Sequence, residues 1–112
     1  MQFKVYYLDD EEALCDIFKE LFARPDVEIV TFTDAADLMS RAAKAPPNLL
    51  FVDYRLVGTT GEKVAKAMNL KCPVVLVTGD LSVTTDYCFA RVLEKPCREK
   101  TIADLIESYR MI

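Results

Sequence analysis

A chain of 112 residues with 52% hydrophobic content has the length of one domain and enough apolar material for a core, since a domain this size buries roughly two-thirds of its unfolded surface. Fourteen Lys and Arg against eighteen Asp and Glu give a net charge of −4, and the absence of a basic stripe argues against direct nucleic-acid binding. No apolar run approaches the ~20 residues of a membrane span, and the opening MQFKVYYLDDEE has strand alternation followed by acids instead of a signal peptide's order, so a cytoplasmic protein is expected.

Four cysteines, Cys15, Cys72, Cys88 and Cys97, show no CxxC spacing, and the chain has no histidine. A zinc set and a thioredoxin-like motif are therefore both excluded, and buried, reduced thiols are expected.

In chain order, Phe3–Leu8 is a short apolar strand that stops at four consecutive acids, Asp9, Asp10, Glu11 and Glu12. Leu14, Ile17, Phe18, Leu21 and Phe22 then recur at the spacing of one helix face, and Arg24-Pro25 ends that helix. Val27–Phe32 is the next strand. Asp34 can cap a second helix carrying Leu38 and Met39, which closes near Pro46-Pro47. The run LLFV at Leu49–Val52 is a continuous apolar strand followed at once by Asp53. After a loop with Gly58 and Gly61, a helix bears Val64, Ala67 and Met68. A second apolar strand, VVLV at Val74–Val77, ends in Thr78-Gly79. Arg91–Glu94 is a weaker strand ending in Lys95-Pro96, and Ile102, Leu105, Ile106 and Tyr109 mark a last helix.

Strand and helix alternating five times predicts an α/β domain over residues 1–112: a doubly wound, flavodoxin-like, five-stranded parallel sheet with helices on both faces and strand order 2-1-3-4-5. In such sheets ligands bind beyond the carboxyl ends of the strands where the winding reverses, here between the first and third strands. Those strands end in Asp9-Asp10 and Asp53. Three converging carboxylates repel one another unless a cation sits among them, and hard oxygen donors without histidine or cysteine favour Mg²⁺. The fourth strand brings the hydroxyl of Thr78 to the same edge and the fifth brings the ammonium of Lys95. Metal, carboxylate nucleophile, hydroxyl and fixed positive charge are what transfer of a phosphoryl group onto an aspartate requires.

Over essentially all of its length the sequence resembles the receiver domain of bacterial two-component response regulators. The match lies in DD at Asp9-Asp10, the aspartate in FVDYRL, Gly61 eight positions later, VTG at Val77–Gly79 and KP at Lys95-Pro96. The resemblance implies that Asp53 accepts the phosphoryl group. Asp10, Asp53 and the backbone carbonyl of Arg55 would ligate Mg²⁺, with Asp9 placing the metal through water. Lys95 would pair with the phosphoryl oxygens, Thr78 would move in to hydrogen-bond them, and the Lys95-Pro96 bond would be cis. It further implies a histidine kinase or phosphotransfer protein as donor, a downstream protein partner or an effector domain outside this chain, and a signalling domain in place of an enzyme. Arg55 and Asp80, each two positions beyond a site residue, are expected to flank the mouth of the site and gate water.

The sequence departs from that pattern in places. Val57 stands where the loop usually carries proline, with Thr59-Thr60 before Gly61. Val92 replaces the usual aromatic. The stretch between Thr78 and Lys95 is short, and its SVTTDYCF core is a poor helix former, so the fourth helix is expected to be short or irregular. The alternative reading is a pseudo-receiver, an interaction domain that keeps the fold without the chemistry. A small-phosphoester phosphatase fits poorly, because Arg55 stands where its second acid is needed, and a flavodoxin would need a Ser/Thr-rich loop where DDEE stands.

Overall fold

The apolar runs LLFV and VVLV form the middle of the sheet, where a strand is covered on both faces and every side chain must be apolar. The computed structural model describes residues 2–80, 84–85 and 87–111. In chain order the elements are β1 (Phe3–Leu8), α1 (Glu12–Phe22), β2 (Val27–Phe32), α2 (Ala35–Lys44), β3 (Leu49–Asp53), β4 (Arg55–Leu56), β5 (Thr59–Thr60), α3 (Gly61–Met68), β6 (Val74–Thr78), β7 (Arg91–Glu94) and α4 (Glu99–Arg110). Five strands form one parallel sheet in the order β2-β1-β3-β6-β7. With the small β4–β5 hairpin set aside, this is the expected 2-1-3-4-5.

Alternation along the strands divides the core between the two faces. Val5, Tyr7, Phe51, Val75, Val77 and Leu93 pack with Phe18 and Phe22 of α1 and with Ile102, Leu105 and Ile106 of α4. Tyr6, Leu8, Leu50, Val52 and Leu76 pack on the opposite face with Leu38 of α2 and Val64 of α3. Phe51 is fully buried and meets the Phe18 ring edge-on at 5.3 Å between centroids. A side chain of this kind contributes about 1.5–3 kcal/mol on burial.

The helices start where the sequence supplies caps. Asp34 accepts the amide N–H of Ala36 at 2.7 Å, and Thr60 accepts that of Lys63 at 3.2 Å. α3 ends on Asn69 in the left-handed conformation at φ 50°, which asparagine tolerates better than most residues.

The structure refines several expectations. β3 and β6 run one residue further than the apolar runs, so Asp53 and Thr78 are themselves the last residues of their strands. The loop after Asp53 is an antiparallel hairpin pairing Arg55 with Thr60 and Leu56 with Thr59, turning at Val57 and Gly58 (φ 75°). Part of the Ser82–Phe89 stretch lies outside the described residues, and those described between Gly79 and Ala90 form no helix. The thiols are not uniformly buried: Cys15 is, Cys72 and Cys97 are half-buried, and Cys88 is exposed.

Candidate functional site

Four strands deliver the candidate residues to one edge. β1 ends at Leu8, so Asp9 and Asp10 follow directly, and the Asp9 amide N–H donates to the Phe32 carbonyl at 3.1 Å, extending the ladder to β2. Asp53 pairs with Val77, and Thr78 with Glu94. The Lys95 amide N–H donates to the Thr78 carbonyl at 2.8 Å, and the Lys95-Pro96 bond is cis. Together these residues frame a cavity of about 510 Å³ lined by Asp10, Glu11, Asp53, Arg55, Thr78, Gly79, Asp80 and Lys95.

Asp9 is fully buried and both its carboxylate oxygens have partners. Oδ1 accepts the Glu11 amide N–H at 3.0 Å; Oδ2 accepts the Tyr7 hydroxyl at 2.7 Å and the Lys95 ammonium at 3.2 Å. The same ammonium lies 3.3 Å from Oδ1 of Asp53, so one cation serves two buried acids. Glu11 occupies the N-cap position of α1 but makes no side-chain cap hydrogen bond; the carboxylate of Asp9 takes its amide instead.

Burial pushes the pKa of Asp53 above the ordinary carboxylate value; Lys95 opposes this, and Asp9 and Asp10 reinforce it. For Lys95, burial works against the ammonium, but Asp53 and then Asp9 outweigh it and raise its pKa. Burial and the bond to Asp9 push the Tyr7 phenol well above its ordinary value, so it remains a hydrogen-bond donor. Two buried acids and one lysine leave an excess of negative charge, and a cation would relieve it.

Asp9, Asp10 and Asp53 each offer a carboxylate oxygen, all within 4.8 Å of one another. Hard oxygen donors without nitrogen or sulfur suit Mg²⁺, and Lys95 engages Oδ1 of Asp53 while Asp10 stands less buried at the cavity wall. The residues present therefore fit the ion expected from the sequence.

Thr78 lines the same cavity, but its hydroxyl is engaged with its own loop, accepting the Asp80 amide N–H at 3.1 Å and donating to the Asp80 carbonyl at 3.3 Å. Arg55 and Asp80 both line the cavity, their side chains 3.7 Å apart. Gly61 is fixed by space: a Cβ there would overlap the carbonyl oxygen of Asp53, and its amide N–H donates to the Tyr54 carbonyl at 2.8 Å.

Tyr7 falls within the apolar strand read from the sequence and its ring lies in the core, but the link between its hydroxyl and Asp9 was not read there. The signal was present in the two-residue spacing, which puts both side chains on one face of a strand.

An acidic pocket at the carboxyl edge of a doubly wound sheet, with a lysine reaching into it from the last strand, defines the receiver class of signalling domain. Residues 5–107 match the response regulator receiver domain family, and the chain belongs to it. It is 30% identical over 115 aligned positions to the C4-dicarboxylate transport transcriptional regulatory protein DctR of Rhodobacter capsulatus, a match covering 94% of this chain and 58% of that protein; the chain thus spans little more than half of that relative. Among solved structures it is similar to a CheY-like response regulator receiver domain from Methylobacillus flagellatus, with a TM-score of 0.87 and 20% identity, covering 97% of this chain and 99% of the other. It is also similar to the response regulator TrrA of Thermotoga maritima in complex with Mg²⁺ and BeF, with a TM-score of 0.83 and 17% identity, covering 97% and 99%. Within the described residues, no helix is long and apolar enough to cross a membrane.

Proposed function

We propose that this chain is a phosphorylation-controlled, cytoplasmic signalling domain over residues 1–112 that accepts a phosphoryl group on Asp53. The observation that carries the reading is the ammonium of Lys95 held at 3.2 Å from Asp9 and 3.3 Å from Asp53 inside a cluster of three carboxylates. A scaffold gains nothing from assembling such charges in one cavity, whereas phosphoryl transfer needs them there.

The donor is a phosphohistidine on a histidine kinase or phosphotransfer protein. A carboxylate oxygen of Asp53 attacks the phosphorus; the N–P bond breaks, its electron pair returns to the imidazole nitrogen, and the phosphoryl group ends as an acyl phosphate on Asp53. Asp10, Asp53 and the Arg55 carbonyl would hold Mg²⁺, with Asp9 helping to place it through water, and the ion would neutralise the phosphoryl charge. Lys95 pairs with the phosphoryl oxygens. Thr78 exchanges its bonds to the Asp80 backbone for a hydrogen bond to the same group, and that movement carries the signal outward. Arg55 and Asp80 govern the approach of the water that later hydrolyses the acyl phosphate. The chain acts on its own phosphorylation state and on no external substrate. Its output goes to a protein partner or to an effector domain outside this chain, as the greater length of DctR, a transcriptional regulatory protein by name, suggests.

Incubation with Mg²⁺ and acetyl phosphate followed by intact mass tests the reading. Uptake of one phosphate supports it. No uptake, with the fold intact, would make the chain a phosphorylation-independent interaction domain instead.

A further inference from the structure

Tyr7 and Asp9 project from the same face of β1. The Tyr7 ring stacks on Phe18 of α1 with centroids 4.2 Å apart and planes 3° from parallel, a fit that phenylalanine would serve equally well. The hydroxyl acts separately from the ring: it donates 2.7 Å to Oδ2 of Asp9, the oxygen that also receives Lys95.

Asp9 is fully buried, and the protein donors to its oxygens are the Tyr7 hydroxyl, the Lys95 ammonium and the Glu11 amide. Lys95 is shared between Asp9 and Asp53, and a phosphoryl group arriving on Asp53 presents new anionic oxygens that draw the ammonium away. Without Tyr7, Oδ2 of Asp9 would then lose its last protein donor, and a buried charged acceptor short of partners is costly. The departure of Lys95 would be opposed to the same extent. With the phenol in place, Asp9 keeps one neutral donor on Oδ2 and the Glu11 amide on Oδ1.

We infer that Tyr7 is a positioning residue for phosphoryl transfer: its hydroxyl holds Asp9 in place so that Lys95 is free to leave it for the phosphoryl group on Asp53. This role rests on the reading of Asp53 as phosphoacceptor.

The test compares wild type with Tyr7→Phe, which keeps the ring, by calorimetric titration with Mg²⁺ and then with beryllofluoride, a phosphoryl mimic, at saturating Mg²⁺. Beryllofluoride affinity should fall about tenfold in Tyr7→Phe, a change equivalent to about 1.4 kcal/mol, and by a larger factor than Mg²⁺ affinity does. In an Asp9→Asn background the same substitution should cost nothing further. Equal beryllofluoride affinity in the two proteins, a loss matched by that for Mg²⁺, or the same loss in the Asp9→Asn background would overturn the role. In wild type, the Tyr7 hydroxyl proton should exchange slowly by NMR both with and without beryllofluoride; its loss in the beryllofluoride state would also overturn it. Wild type failing to bind beryllofluoride would instead overturn the phosphoacceptor reading and this role with it.

Discussion

The guanidinium of Arg55 lies 3.7 Å from the carboxylate of Asp80, joining the β4–β5 hairpin to the loop that follows β6. Asp80 is also the residue whose backbone holds the Thr78 hydroxyl, so the pair and the Thr78 hydroxyl share an anchor. Both side chains are substantially exposed, and a pair of this kind is worth about 0–1 kcal/mol. Its effect is therefore expected on rates of access more than on stability. If the two act as one gate, spontaneous dephosphorylation of Arg55→Ala, Asp80→Ala and the double variant should be non-additive by up to about fivefold, the equivalent of ~1 kcal/mol. Rates that simply multiply would mean two unconnected surface charges.

Mg²⁺ should stabilise the domain, because it relieves carboxylate repulsion only where the fold brings Asp9, Asp10 and Asp53 together. At a hundred times its dissociation constant the ion adds about 2.7 kcal/mol, and each kcal/mol raises the melting temperature by roughly 4–8 °C in a domain near this size. Asp10→Asn and Asp53→Asn should each shrink that rise. A melting temperature indifferent to millimolar Mg²⁺ would remove the acidic cluster as a cation site.

In metal-free buffer Asp53→Asn should be more stable than wild type at neutral pH. The folded pKa of Asp53 is raised, chiefly by burial, so the folded state binds the proton more tightly than the unfolded chain does. Wild type is then best served below the ordinary carboxylate pKa and loses that contribution as pH rises through the folded value. The advantage of asparagine should therefore be small in acid and grow to a plateau above the folded pKa. Denaturant midpoints measured across pH check this; an advantage that shrank with rising pH would contradict it.

The output of this domain is expected to run through the segment between Thr78 and Lys95. Val92 stands on β7 with 46% of its surface exposed, and its branched side chain has few rotamers and no ring to swing inward. Tyr87 and Phe89 pack on each other with centroids 4.6 Å apart and against the core face beneath α2 and α3, which makes them anchors for whatever moves around them. Hydrogen exchange with and without beryllofluoride should change mainly across Gly79–Ala90. Change confined to Asp53–Gly61 would place the signalling surface on the hairpin instead.

Much of this architecture was legible in the sequence for a physical reason: LLFV and VVLV have no polar face, so they had to be doubly covered, and an aspartate directly after such a run had to emerge at the sheet edge. Asp53 and Thr78 were readable in that way, and Asp9, Asp10 and Lys95 as the residues that follow the ends of less uniformly apolar strands. The β4–β5 hairpin was not, because Leu56-Val57-Gly58-Thr59 lacks the Asn-Gly or Asp-Gly signal that announces a two-residue turn. The Thr78–Asp80 bonds and the Tyr7–Asp9 contact were hidden for another reason. A hydroxyl's partner is set by backbone and tertiary geometry that residue types alone do not specify.

Phosphoryl acceptance by Asp53 is tested most directly by the chemical identity of the phosphorylated residue. After transfer from a phosphohistidine donor in Mg²⁺, borohydride reduction and peptide mapping should convert Asp53, and no other aspartate, to homoserine, and Asp53→Asn should take up no phosphate. Stoichiometric label on Asp9, Asp10 or Asp80, or undiminished uptake by Asp53→Asn, would contradict it.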